Sequence, residues 1–235
     1  MGRAHEVRAK SMAATAAKRS ALFMRASKEI YMAAKSGVPD INANLALRSA
    51  VEKWKSQQVT KDVIERAIQK AKGGSGEHYE AGRYEFFGPA GSYFIVDTLT
   101  DNVNRALTDV RAVFTKRGGH MGSVSYNFTE QGVLLFKGTG KDKIEEALIL
   151  GDVDVREVSE DNGIIEVLVN PTFLNKAKEV LKTLNITEFE TSAILMIANE
   201  LIEVTDQEAK DKINQILDAL DEVTDVQEVY HNVEL

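Results

Sequence analysis

Residues 99–128 read LTDNVNRALTDVRAVFTKRGGHMGSVSYNF, and the chain on either side differs in charge and in periodicity. The run from Tyr93 to Leu99 that leads into it is rich in β-branched and aromatic residues, which favour a pleated strand. Thr100, Asp101 and Asn102 carry the short polar side chains that leave a strand and cap a helix. Val103, Leu107, Val110 and Phe114 then recur at helical spacing, so one apolar stripe can lie on a sheet. Gly118 and Gly119 end that helix after Lys116 and Arg117, whose charge suits its negative C-terminal end. Val124 to Phe128 reads as the return strand, and the stretch predicts a βαβ unit.

Upstream of this unit the chain is basic, and downstream it is acidic. The net charge of -7 hides a local +9 over residues 1–72 and -16 over the remainder. Such asymmetry points to a polyanion-binding end on a body that is not one, against the plainer reading of a lysine-rich solvated bundle. The 235 residues contain no cysteine, which excludes disulfides, thiolate metal sites and cysteine nucleophiles and suits a reducing cytosol. No apolar run approaches the roughly 20 residues of a membrane span, and the first residues are charged without a hydrophobic signal region. The expectation is a cytoplasmic protein with no membrane partner.

From Arg3 to Lys35 the residues are good helix formers, and Leu22, Ala26, Ile30 and Ala33 mark a stripe that Gly37 and Pro39 stop. The first twenty residues offer little apolar area beyond Val7 and Met12, which predicts an arm that orders on a partner. Arg3, Arg8, Lys10, Lys18 and Arg19 sit where such an arm could grip a nucleic-acid backbone, with Arg25 and Lys28 following on the helix. Asn42 to Gln57 reads as a second helix with Leu45, Leu47, Val51 and Trp54 inward, and Thr60 as the cap of a third. Three such helices make a small bundle, with Trp54 as its central packing residue rather than a base-stacking one. Gly73, Gly74, Ser75 and Gly76 form the first boundary.

After the central unit comes a second regular series: helix Lys141 to Leu150, strand Val153 to Val158, turn Asp161 to Gly163, strand Ile164 to Val169, helix Pro171 to Leu184, strand Glu188 to Ile197. With Val133 to Lys137 ahead of it, the order is that of a ferredoxin-like βαββαβ unit. Thr205 to Glu208 reads as a capping box before a helix carrying Ile213, Ile216, Leu217 and Leu220, and Val226 to Tyr230 as a final strand. That last pair needs an edge and is expected to return to the sheet begun at Tyr84. The fold class is therefore α+β: an N-terminal three-helix bundle plus two mixed α/β domains, one of them ferredoxin-like. The expected domains are residues 1–75, residues 76–131 with 201–235, and an inserted 132–200.

Catalytic chemistry finds little support. His5, His78, His120 and His231 are scattered, with no pair at metal-ligand spacing, and no nucleophile motif is present. Gly138-Thr139-Gly140-Lys141 lacks the Ser or Thr of a phosphate loop and reads as a helix-entry turn. Asp97 and Asp101 flank a strand end, where capping explains Asp101 as well as a metal would. We therefore expect no enzyme activity, no cofactor and no metal. Arg105, Arg111, Lys116 and Arg117 lie on or just after the central helix, where some can share a face with phosphates. No helix-turn-helix, zinc-finger or RNA-recognition signature accompanies them.

Three runs carry a family resemblance: LTDN-x-NR, VR-x-x-F-x-K-x-GG and GSVS-x-x-F in the central stretch. The opening MGRAHEVR, EIYMAAKSG and KDVIERAIQKAKGG extend it over most of the chain. It resembles the YebC/PmpR family of bacterial gene-expression proteins, which has a mitochondrial relative that activates translation. The resemblance implies the three-domain arrangement and a nucleic-acid partner. It leaves two readings open: a probable DNA-binding transcriptional regulator, or a ribosome-associated translation factor on rRNA or tRNA. A monomer is expected in either case. Two departures stand out: only His120 and Met121 separate GG from GSVS, where the family usually has a longer glycine-rich loop, and Ala90 stands in a turn that is usually glycine-richer.

Overall fold

A computed structural model describes residues 16–74 and 76–234. Three helices come first, α1 (Ala16–Lys35), α2 (Leu45–Ser56) and α3 (Lys61–Lys72). β1 (Glu80–Phe87), β2 (Tyr93–Thr100), α4 (Val103–Thr115) and β3 (His120–Met121) follow. Next are β4 (Phe128–Lys137), α5 (Lys141–Leu150), β5 (Val155–Asp161), β6 (Ile164–Val169), α6 (Leu174–Thr183) and β7 (Thr191–Ala198). β8 (Ile202–Glu203), α7 (Gln207–Glu222), β9 (Val226–His231) and β10 (Val233–Glu234) complete the described chain. The fold is α+β. It forms two compact units, one of Phe128–Ile197 and one of residues 16–127 with 198–234.

In the smaller unit the strands run in the order β5-β6-β4-β7, with β6 antiparallel to both β4 and β5. Ile144 and Leu148 of α5 and Ala177 and Leu181 of α6 pack on Leu134, Phe136, Ile165 and Val167, so both helices cover one face of a ferredoxin-like sheet. Gly140 adopts a left-handed conformation (φ 87°) to admit the chain to α5. The N–H groups of Gly140 and Lys141 both donate to Glu160 Oε2, at 2.9 and 3.0 Å. An internal carboxylate therefore occupies the helix N-terminus that the sequence likened to a phosphate loop.

In the larger unit Ala26, Ile30, Leu47, Val51, Trp54, Ile64, Ala67 and Ile68 bring α1, α2 and α3 around one core. Two sequence expectations are corrected here. Leu45 is 58% exposed: Asn44 is the N-cap, its side chain accepting from Leu47 N and donating to the carbonyls of Ala33 and Val38, which turns the first helical residue outward. Thr60 precedes α3 without a side-chain cap bond; its backbone carbonyl accepts from Val63 and Ile64 instead.

The second sheet of this unit has the order β3-β1-β2-β9, and β9 pairs with β2. α4 and α7 cover one face through Val110, Phe114, Ile213, Ile216 and Leu220 against Phe86, Phe94 and Val96. The return strand of the βαβ unit is His120–Met121, antiparallel to β1, and not Val124 to Phe128. Glu85 Oε2 accepts from Val124 N at 2.6 Å and Ser125 N at 2.7 Å, and this capture bends the chain into a 3₁₀ turn over Ser125–Asn127. Phe128 already belongs to β4 in the other sheet. At the far end, Asp206 rather than Thr205 caps α7, its carboxylate accepting from Ala209 N.

The turn between β1 and β2 holds Ala90 at φ 54°, ψ 31°, a left-handed conformation that crowds its Cβ. Ala90→Gly is expected to raise stability by about 1 kcal/mol, read as a higher urea midpoint at unchanged slope. An unchanged or lower midpoint would show that the gain in unfolded-chain entropy outweighs the relief.

Candidate nucleic-acid interface

The cations singled out in the sequence divide into two groups. Arg3, Arg8 and Lys10 lie outside the described residues. α1 carries Lys18, Arg25 and Lys28 at spacings of seven and three, which puts them along one side of the helix. That side meets a row of acids from the end of the chain: Asp218 and Asp221 on α7, Asp225 in the turn after it, and Glu228 on β9. Lys18 Nζ lies 2.6 Å from Asp218 and 3.6 Å from Asp221, and the bond to Asp218 holds its pKa above the usual lysine value. Arg25 is buried, donates to the carbonyls of Leu220 and Asp221, and is pushed below the usual arginine range by desolvation.

Lys28 goes deepest. Its ammonium lies 2.5 Å from Asp225 Oδ1 and also donates to the carbonyls of Leu99 and Thr224. Asp225 takes a second cation on its other oxygen, Arg105, at 2.9 Å, while Arg105 also reaches Asp101 at 2.6 Å. Lys53 completes the seam from α2, at 2.9 Å from Glu29 and 3.0 Å from Glu228. Burial opposes the Lys53 charge, but Glu228 and Glu29 outweigh it and raise the pKa. Lys18, Arg25, Lys28 and Arg105 are thus engaged within the protein, the first three joining α1 to α7 and the turn after it, and Arg105 joining α4 to that turn.

The second group makes no such ion pairs. Among the described residues, Arg19, Arg111, Lys116 and Arg117 have no carboxylate within ion-pair distance. Arg19 lies over the Phe23 ring. Arg111 on the C-terminal half of α4 and Lys116 just after its end are exposed, and the Arg111 guanidinium rests 3.1 Å from Met121 Sδ on β3. Arg117 folds back to donate to the Val113 carbonyl at 2.9 Å. Asp97 and Asp101 are held by Arg83 and Arg105, and no group of three or more potential metal ligands occurs among the described residues. No described helix is long and apolar enough to cross a membrane.

Sequence reasoning missed the acidic row. Its signal was present in Asp218, Asp221 and Asp225 recurring at spacings of three and four, matching the cations of α1 about two hundred positions earlier.

Two family models match the chain: the TACO1/YebC protein N-terminal domain over residues 3–74, and the TACO1/YebC second and third domain over residues 79–233. The chain belongs to the TACO1/YebC family. It is 48% identical over 234 residues to a probable transcriptional regulatory protein of Mesoplasma florum, covering 99% of each chain. It is 46% identical over 217 residues to the probable transcriptional regulatory protein YeeN of Escherichia coli K12, covering 91% of each. A crystal structure of a conserved hypothetical protein from Aquifex aeolicus aligns with a TM-score of 0.78 at 32% identity, covering 96% of this chain and 93% of that one. The Mesoplasma florum and Escherichia coli relatives are named as probable regulatory proteins.

Proposed function

We propose that this TACO1/YebC protein is a cytoplasmic, nucleic-acid-binding regulator of gene expression that acts as a monomer and performs no catalysis. The observation that carries the reading is the division of its cations. A protein whose cations were all matched internally would have nothing left for a partner, yet Arg19 in the basic segment and Arg111, Lys116 and Arg117 in the central one have no acidic partner among the described residues. Arg3, Arg8 and Lys10 extend the proposed contact surface. The names of the curated relatives support transcriptional regulation, and DNA is the target we read for it. In the three parts in which we read the chain, 1–75, 76–131 with 201–235, and 132–200, the first part and the cations of residues 111–117 would engage the partner while the acidic surface elsewhere limits the pose.

Sedimentation with ribosomes through a sucrose cushion, beside a gel shift on mixed genomic DNA at the same salt, tests it. A discrete DNA complex that survives competitor is the expected result. Co-sedimentation with only weak, sequence-blind DNA binding would replace it with a translation factor on rRNA or tRNA. Changing Arg19, Arg111 and Lys116 together to Ser should weaken binding and reduce the salt slope by roughly one per cation removed. An unchanged slope would take these residues out of the contact surface.

A further inference from the structure

The seam between α1 and the end of the chain changes character along its length. At its inner end the Lys28 and Asp225 side chains are 10% and 3% exposed, so that pair is closed to solvent and to competing ions. At its outer end Lys18 is shared by Asp218 at 2.6 Å and Asp221 at 3.6 Å, and those two side chains are 69% and 35% exposed. Asp218 and Asp221 lie one turn apart on α7, which sets two carboxylates in a row against the first turns of α1. Arg25 stands between the two ends. It is held by the carbonyls of Leu220 and Asp221, and its guanidinium lies 3.9 Å from the Asp221 carboxylate.

The outer end is also where α1 meets the proposed contact surface. Arg19, next to Lys18, is exposed and has no carboxylate within ion-pair distance among the described residues, and Arg3, Arg8 and Lys10 precede it in the chain. A phosphate drawn to Arg19 finds the neighbouring ammonium occupied and two aspartates beside it that repel it. Exposed ion pairs are weak and salt-sensitive, so a polyanion can displace the aspartates from Lys18. It cannot displace Asp225 from Lys28, and that buried pair keeps α1 docked while the outer end exchanges.

We propose that Asp218 and Asp221 form an internal cap on a latent phosphate contact at Lys18, restraining nucleic-acid binding by the start of α1 until a polyanion displaces them. This rests on the nucleic-acid reading above and adds the regulation of that surface.

The test is fluorescence anisotropy of the full chain with a labelled mixed-sequence DNA duplex of about 20 base pairs, titrated at several salt concentrations. Asp218→Asn with Asp221→Asn should tighten binding about fivefold and steepen the salt dependence by about one, the share of a single freed cation. Asp142→Asn with Glu146→Gln makes the same charge change at exposed positions of α5 and should move the affinity by less than about twofold. Lys18→Ser decides the matter: alone it should change binding by less than about twofold, whereas in the Asp218→Asn, Asp221→Asn background it should cancel the gain. Asp218→Asn by itself, at the more exposed carboxylate, should leave the thermal midpoint in place and give part of the same gain. Equal gains from the α7 and α5 pairs, or an equal loss from Lys18→Ser in both backgrounds, would overturn the cap while leaving a nucleic-acid-binding protein. No binding by the wild type or by the α7 variant would overturn the cap together with the reading beneath it.

Discussion

Asp225→Asn should lower the stability of the larger unit by about 3–5 kcal/mol, the range seen when one partner of a buried ion pair is removed. The Asp225 side chain is 3% exposed and divides its two oxygens between Lys28 and Arg105. The amide keeps the shape but cannot balance the Lys28 ammonium, which is also buried and has besides it only backbone carbonyls and the face of the Tyr79 ring. The pH dependence gives the prediction a second edge. Burial by itself would raise the Asp225 pKa, but hydrogen bonds from Lys28 and Arg105 outweigh it and hold the carboxyl below its usual value. A group depressed in the folded state contributes stability that is complete above its unfolded value of about 3.9 and is lost as pH falls through the folded value. The gap between wild type and variant should therefore be full at neutral pH and close in acid. Urea midpoints at a series of pH values, followed by the fluorescence of the single Trp, would show it. A gap that does not narrow in acid would mean that the loss comes from packing rather than charge.

The same cluster shows what the sequence can and cannot reveal. The strand, cap and helix of residues 93–115 were legible because each signal is local: the β-rich run, Asn102 accepting from Arg105 N, and an apolar stripe that includes Val110 and Phe114. The βαββαβ order was legible for the same reason. Val124 to Phe128 misled because its β-prone residues are governed by a carboxylate some forty positions away, Glu85, which takes two backbone N–H groups and forces a turn. The basic face of α1 read as a polyanion site because charge counts carry no geometry. Lys18, Arg25 and Lys28 find their anions on α7 and beyond, and only the fold brings those together. Arg111 and Lys116, by contrast, stay on the surface as the helical pattern implied. His120 was noted as one of four scattered histidines and as part of the short link between GG and GSVS, but no sequence rule shows that it will lie beside Phe87 across a two-residue strand.

Trp54→Ala should cost about 3–5 kcal/mol, the usual toll for deleting a fully buried large aromatic. Trp54 is 1% exposed in the core shared by Ile30, Leu47, Val51, Ile64 and Ile68. Packing is only part of its role. Its indole Nε1 donates to Glu29 Oε2 at 3.0 Å, the same oxygen that Lys53 approaches at 2.9 Å, and Lys53 continues to Glu228 on β9 at 3.0 Å. The bundle core is thereby tied to the edge of the sheet, within the one compact unit that holds both. Trp54→Ala should lower the midpoint of the whole unit, not of the helices alone, when helix loss at 222 nm is compared with near-ultraviolet tyrosine signals. Trp54→Phe fills most of the volume and leaves Glu29 its bond to Lys53, so it should cost at most about 2 kcal/mol. If the Ala variant instead melts in two steps, helices first, the Lys53 bridge does not couple bundle and sheet.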